Sequence, residues 1–316
     1  MKTSIKIENL TKYYGKIKAV DRLSLEVFDK EIFGLLGPNG AGKTTTLLIM
    51  ATVLKPTSGT IYVEGIDVTK EPDRVRKFIG ISFQSPKALH IDKVYEILTW
   101  HAKICGLPKG EIEFRVRNVM ERLGIWEHRN KLFMQLSGGL KKRVEVAKIL
   151  IQRPKIAIFD EPTAQIDVIG RHEIWNAIRE LRDEGSTVII ATNNMSEAEA
   201  LCDRIAIIHK GKLVVTGSPE ELKDKIPGGD IIEITVDRKI NSPKILSEIS
   251  SKINALSYKY SGNICRFYLS MGEKAIPKII EILKKYNYEV REVKMKEPTL
   301  DDVFFYFTGA TLMEEQ

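Results

Sequence analysis

The stretch EIFGLLGPNGAGKTTTLLIM, Glu31 to Met50, joins a short apolar run to a helix-forming run through a loop in which Gly37, Gly40 and Gly42 recur. Gly37, Pro38, Asn39, Gly40, Ala41, Gly42, Lys43 and Thr44 fill every position of GxxxxGK[ST], with Thr45 following. The flanking runs supply the strand and helix that the motif requires. Such a loop lets backbone N–H groups close around phosphate oxygens at a helix N-terminus, where the helix dipole favours negative charge. Lys43 is placed to reach the β and γ phosphates, and the Thr44 hydroxyl to ligate Mg²⁺. A chain built on this unit is committed to an α/β domain that binds a nucleotide at the carboxyl end of a mostly parallel sheet.

The remaining sequence extends this reading. Up to about residue 226, β-branched runs alternate with helical patterns. IKIEN and LSLEVF, separated by KYYGK, read as antiparallel edge strands ahead of the loop, and a helical block from Lys93 to Leu123 reads as an insertion between strands. GSPEELK carries Ser218 as N-cap, Pro219 at the first helical position and Glu221 three residues on, a capping box that opens the last helix of the domain. Ile226-Pro227-Gly228-Gly229 then reads as a linker. Beyond it the runs spell β-α-β-β-α-β, the order of a ferredoxin-like sandwich, with helices from Pro243 and from Glu273 to Tyr286. The expected domains are 1–226, with a helical subdomain at about 90–150, and 227–316.

Composition excludes several classes. The 316 residues include 49 Lys plus Arg against 42 Asp plus Glu, a net +7, but the basic residues are spread along the chain and mixed with acids. No nucleic-acid partner is expected. The longest apolar runs are far short of a membrane span. Cys105, Cys202 and Cys265 lie far apart without metal-ligand spacing, as expected of buried apolar residues rather than of a zinc site or disulfide framework.

Two further strand ends carry chemistry. IAIFDEPT places Asp160 and Glu161 after a buried apolar run: Asp160 to hold Mg²⁺, and Glu161 to accept a proton from an attacking water. TVIIATNN ends another such run in Thr192, Asn193 and Asn194, at the end where ligands bind in open α/β sheets. Between the loop and these ends, LSGG puts Ser137, Gly138 and Gly139 before a basic amphipathic helix, a second helix N-terminus able to meet anions and also an ordinary cap.

GPNGAGKTT, LSGG and IAIFDEPT in this order resemble the ATP-binding subunit of ABC transporters, over roughly residues 3 to 226. The resemblance implies the P-loop ABC-ATPase fold followed by a small α+β ferredoxin-like domain, with ATP and Mg²⁺ as cofactors. It implies that Tyr14 stacks on adenine, with Tyr13 as a rival and a packed strand-end tyrosine as the plainer alternative. Gln84 in IGISFQS resembles the Q-loop glutamine, implied to contact Mg²⁺ and to couple the site to a membrane partner. Asp167 in AQID resembles the D-loop aspartate, and Ser137 and its glycines are implied to contact ATP held by the other subunit of a dimer.

Two positions depart from the family pattern. Leu140 stands where the signature usually has a polar glutamine. Asn193 stands where the family places its H-loop histidine, and asparagine carries neither a proton nor a charge near neutral pH. Slower hydrolysis with retained ATP binding is therefore expected.

EPTLDDVFFYFTG, Glu297 to Gly309, resembles the ending of export ATPases of the daunorubicin and multidrug-resistance type. The expected function is the ATP-hydrolysing subunit of an exporter, a homodimer or heterodimer driving a separate integral membrane permease from the cytoplasmic face of the membrane. The alternatives are a soluble non-transport ABC ATPase, or a hydrolysis-poor regulatory subunit in a heterodimer.

Overall fold

The computed structural model describes residues 2–84, 91–240, 243–270, 272 and 274–309. They form two compact units that divide after Leu213.

In the first unit, β1 (Thr3–Tyr14) and β2 (Ile17–Phe28) form a long antiparallel hairpin. The chain then enters the central strand β3 (Ile32–Leu36) and helix α1 (Lys43–Met50). Next come β4 (Ser58–Val63), β5 (Ile66–Asp67), α2 (Pro72–Arg76) and β6 (Ile79–Ser82). Three helices follow before the chain returns to the sheet: α3 (Val94–Ile104), α4 (Lys109–Arg122) and α5 (Gly138–Gln152). Strand β7 (Ile156–Asp160), α6 (Val168–Asp183), β8 (Thr187–Thr192), α7 (Met195–Leu201) and β9 (Arg204–His209) complete the parallel part. Strand β10 (Lys212–Gly217) carries the chain from one unit to the next.

The antiparallel sheet has the order β2-β1-β4-β5. Only β2 of the first hairpin is an edge strand: SGTIYV, Ser58 to Val63, supplies a second neighbour for β1. The strands also run through KYYGK to a turn at Gly15-Lys16, so the hairpin is longer than its two apolar runs suggest. The larger sheet has the order β10-β9-β3-β8-β7-β6 and is parallel from β9 through β6. Its central strands, IFGLL, IAIFD and TVIIAT, are buried at every residue, which is why they read as unbroken apolar runs rather than alternating ones. The two sheets enclose a core that includes Ile5, Leu23, Val27, Phe33, Leu47 and Ile158.

The register decides what happens at the carboxyl edge. Leu36 on β3 pairs with Thr192 on β8, and Ala191 on β8 pairs with Asp160 on β7. Phe159 on β7 pairs with Ser82 on β6. Four neighbouring strands thus end together, and the loops that follow them emerge side by side.

In the second unit, α8 (Pro219–Asp224) begins with the expected capping box, the Ser218 Oγ accepting from Glu221 N at 3.1 Å. The rest is β11 (Asp230–Val236), α9 (Pro243–Ile253), β12 (Ser257–Ser261), β13 (Ile264–Leu269), α10 (Ile276–Lys285), β14 (Val290–Lys296) and α11 (Leu300–Thr308). The sheet order β12-β13-β11-β14 is that of the ferredoxin-like sandwich. Its core includes Ile232, Ile234, Leu246, Phe267, Ile279 and Leu283. Glu273, the expected start of the fifth element of this domain, lies outside the described residues; the helix runs from Ile276. The expected division fell after residue 226, whereas the compact units divide after Leu213. The stretch between the two boundaries holds the end of β10 and α8, whose Leu222 is fully buried and which packs on α11.

Candidate active site

The loop between β3 and α1 is shaped by close contacts that only glycine permits. A Cβ at Gly37 would lie 2.2 Å from the Ile208 carbonyl oxygen. At Gly42, where φ is 101°, it would lie 2.4 Å from that of Ala19. Gly42 is the N-cap of α1 and offers no side-chain acceptor, so the first N–H groups of the helix are not capped from within. Lys43 is buried. Its Nζ donates to the carbonyls of Gly37 at 2.7 Å and Pro38 at 2.9 Å. Burial lowers its ammonium from the ordinary lysine value, and Glu161 and Asp160 pull against that shift.

Gln84, Glu161, Lys43, Thr44, Thr45 and Asn39 to Gly42 line one cleft of about 370 Å³, closed on another side by Ile17, Lys18 and Ala19. The Gln84 Nε2 donates to the Glu161 Oε2 at 3.1 Å. Glu161 itself has φ 49°, a left-handed conformation that side-chain-bearing residues avoid. Its N–H is held by the Ala191 carbonyl at 2.8 Å, so β8 stabilises the bend that turns this carboxylate away from the strand line.

Asp160 is buried, and its Oδ1 has no hydrogen-bond partner among the described residues. Burial pushes its carboxyl above the usual range and Glu161 beside it adds to this, while a hydrogen bond with Thr44 and the charges of Lys142 and Lys43 oppose it. A buried carboxylate oxygen without a donor, next to a threonine hydroxyl, suits a hard cation that keeps water and phosphate ligands. Asp160 and Thr44 are the groups that could hold Mg²⁺. Among the described residues no cluster of three or more His, Cys, Asp or Glu side chains offers an all-protein metal cage.

The two asparagines after β8 divide their tasks. The Asn193 Nδ2 donates to the Asn39 Oδ1 at 3.3 Å, which sets it against the phosphate loop. Asn194 turns the other way and is the N-cap of α7, accepting from Glu197 N at 3.2 Å. Tyr14 and Tyr13 are both partly exposed, at 45% and 40%. They pair across the hairpin with Ile17 and Lys18, the residues that line the cleft, so both stand beside it.

Ser137, Gly138 and Gly139 are not in this cleft. With Leu140, Arg143, Gln165 and Asp167 they line a separate one of about 380 Å³. Ser137 caps α5, its Oγ accepting from Leu140 N at 3.3 Å, and Asp167 caps α6, its Oδ1 accepting from Gly170 N at 2.8 Å. Within one copy, the signature serine and the phosphate loop are apart.

Comparison with known proteins agrees with this arrangement. A family model described as "ABC transporter" matches residues 20–164, and one described as "ATP-binding protein DrrA1-3-like, C-terminal domain" matches residues 217–306. The linearmycin resistance ATP-binding protein LnrL of Bacillus subtilis is 31% identical over 98% of this chain and 100% of its own length. The daunorubicin/doxorubicin resistance ATP-binding protein DrrA of Streptomyces peucetius is 30% identical over 97% and 92%. The chain belongs to the ABC transporter ATP-binding proteins. It is the ATP-binding, ATP-hydrolysing subunit of such a transporter. Among solved structures, cbiO1 from Clostridium perfringens is 33% identical with a TM-score of 0.62, covering 71% of this chain and 92% of that one. The cassette MJ0796 in a dimeric post-hydrolysis state, bound to ADP and Pi, is 25% identical with a TM-score of 0.63, covering 68% and 98%.

Two residues of this ABC cassette were not singled out from the sequence. Glu197 is buried and accepts from the Thr163 hydroxyl at 2.6 Å and the Trp175 indole at 3.2 Å, tying the loop after Glu161 to the helix after Asn193. Lys142 is buried and donates to the carbonyls of Asp160, Phe83 and Gln84. One is an acid and the other a base on an amphipathic helix, where both types usually face water, so neither carries a local signal of burial.

Proposed function

We propose that ATP is cleaved in the cleft between the phosphate loop and Glu161, and that the cleavage drives a separate membrane permease. The observation that carries this is the meeting of Lys43, Thr44, Gln84 and Glu161 in one cleft, with Asp160 buried beside Thr44. Backbone N–H groups at the start of α1 cradle the phosphates. Lys43 exchanges its two carbonyl bonds for the β and γ oxygens. Asp160 and Thr44 would hold Mg²⁺, which when bound would supply charge neutralisation to the phosphate being transferred. Glu161 takes the proton of the attacking water, and Gln84, bonded to it, orients that water. Asn193 donates a neutral hydrogen bond to the γ-phosphate, giving up its bond to Asn39.

The signature cleft then serves a second copy of an ATPase subunit, either this chain or a homologue. Ser137 and its glycines face the ATP held by the opposite phosphate loop, and the exposed Val168 and Ile169 beside Asp167 are covered on closure.

The permease docks at the groove of about 640 Å³ lined by Arg76, Phe83, His101, Ile104 and Gln152, next to the exposed Trp100. Phe83 immediately precedes Gln84, which links this groove to the nucleotide. No helix among the described residues is long and apolar enough to cross a membrane, and docking holds the chain at the cytoplasmic face. Export is the direction suggested by relatives named for drug resistance and by a Nod factor export ATP-binding protein of Rhizobium etli, 31% identical over 97% of this chain.

Replacing the general base tests the mechanism. Glu161→Gln is expected to retain ATP binding and to lose about 10²- to 10⁴-fold in kcat. Turnover equal to that of the parent would overturn the assignment.

A further inference from the structure

Lys142 sits on the first turns of α5, directly behind the signature sequence, and only 3% of it is exposed. An ammonium has three donors and no acceptor, and Lys142 uses all three on main-chain carbonyls. Its Nζ donates to Asp160 O at 2.7 Å, Phe83 O at 3.0 Å and Gln84 O at 3.4 Å. These carbonyls mark the end of β7 and the segment just after β6, beyond the last β6–β7 pair, Ser82 with Phe159, so that Lys142 bridges the two chains where their own ladder has ended. Asp160 depends on this support because its side-chain Oδ1 has no hydrogen-bond partner among the described residues. The direction of that carboxylate is therefore set by its backbone and by Thr44.

We propose that Lys142 is a positioning residue: it locks the Asp160 backbone and the Gln84 segment to the signature helix, and so aims the metal-binding carboxylate and the water-orienting glutamine together. The inference rests on the mechanism above. Burial lowers the ammonium from the ordinary lysine value, while Asp160, Glu145, Glu161 and Glu197 favour its charged form. Charge-assisted bonds from a held cation are roughly twice as strong as neutral ones, which suits a clamp on three carbonyls.

The test uses the full chain with Lys142→Met, which keeps the length and removes the donors, and Lys142→Arg, which keeps the charge. Mn²⁺ binding to the ATP-loaded protein is read by electron paramagnetic resonance. Amide hydrogen exchange is followed over residues 79–84, and ATP affinity is measured in EDTA. Lys142→Met is expected to weaken Mn²⁺ binding about tenfold or more, to speed exchange over that segment, and to leave metal-free ATP affinity unchanged. Lys142→Arg is expected to recover part of the Mn²⁺ affinity.

Unchanged Mn²⁺ affinity and exchange in a folded Lys142→Met protein would overturn the inference. So would a loss confined to thermal stability. If the methionine variant does not fold, Lys142→Gln, which is shorter and uncharged and so cannot hold all three carbonyls, takes its place: unaltered Mn²⁺ affinity and exchange in the glutamine variant would overturn the clamp. A parent chain whose ATP binding and hydrolysis ignore divalent cations would sink the underlying mechanism instead, so the two failures are distinguishable.

Discussion

We propose that Asn193, standing where the family resemblance implies a histidine, sets the rate of cleavage. Its neutral amide reaches Asn39 of the phosphate loop at 3.3 Å. A histidine there could carry charge to the developing phosphate oxyanion, and removal of one preorganised donor at such a centre typically lowers kcat by about 10²-fold. Asn193→His is accordingly expected to raise kcat by up to about 10²-fold with little change in ATP affinity, measured as steady-state phosphate release and nucleotide binding. Equal rates would show that the position is not used in chemistry. Glu161 illustrates a different residue-scale effect. Its φ of 49° is a strain of about 1–2 kcal/mol, retained because the Ala191 carbonyl holds its N–H.

Two elements are held in ways that make them sensitive. Helix α3 packs on α5 through His101, whose imidazole is lowered from 6.5 to about 4, mainly by burial and secondarily by Lys148. The unfolded chain therefore takes up this proton first, and the contribution to stability is lost as pH falls from about 6.5 towards 4. His101→Gln should flatten the fall in Tm between pH 7 and pH 5. An unaltered Tm profile would show that His101 does not titrate in this way. Helix α11 is pinned by Asp302, which is fully buried. The Asp302 Oδ1 meets the Lys296 ammonium at 2.9 Å and the Arg266 guanidinium at 3.3 Å, and the Thr299 hydroxyl donates to Oδ2 at 2.7 Å. Arg266 in turn stacks on Phe305 at 4.0 Å and pairs with Glu233 at 2.6 Å. Breaking a buried pair from one side leaves uncompensated charge, so Asp302→Ala is expected to destabilise the second unit by about 3–5 kcal/mol in denaturant unfolding. A change under 1 kcal/mol would mean that the network is not what holds α11.

At the scale of the whole molecule, we propose that the functional division of the chain falls before α8 rather than at the Ile226-Pro227-Gly228-Gly229 stretch. Leu222 is buried within the second unit, and α8 packs on α11. A fragment spanning 214–309 should melt cooperatively, several degrees above one spanning 227–309, which would expose that face of α11; equal melting temperatures would restore the later boundary. The two-part architecture, the phosphate loop and the Asp160-Glu161 strand end were legible in the sequence because each depends on local pattern: glycine spacing, an unbroken apolar run, an element order. What resisted reading was long-range pairing. No local signal announces that Ser58 to Val63 will turn β1 into an interior strand, that Lys142 will be buried, or that of two adjacent asparagines one caps a helix and the other meets Asn39. By itself the sequence determined the phosphate loop, the acidic strand end and the family's fold, since backbone conformation and side-chain chemistry there are set within a few residues. Only the tertiary structure decided which groups share a cleft. The register of β3, β8, β7 and β6 brings the phosphate loop, Asn193, Glu161 and Gln84 to one edge, and it leaves Ser137 in a separate cleft.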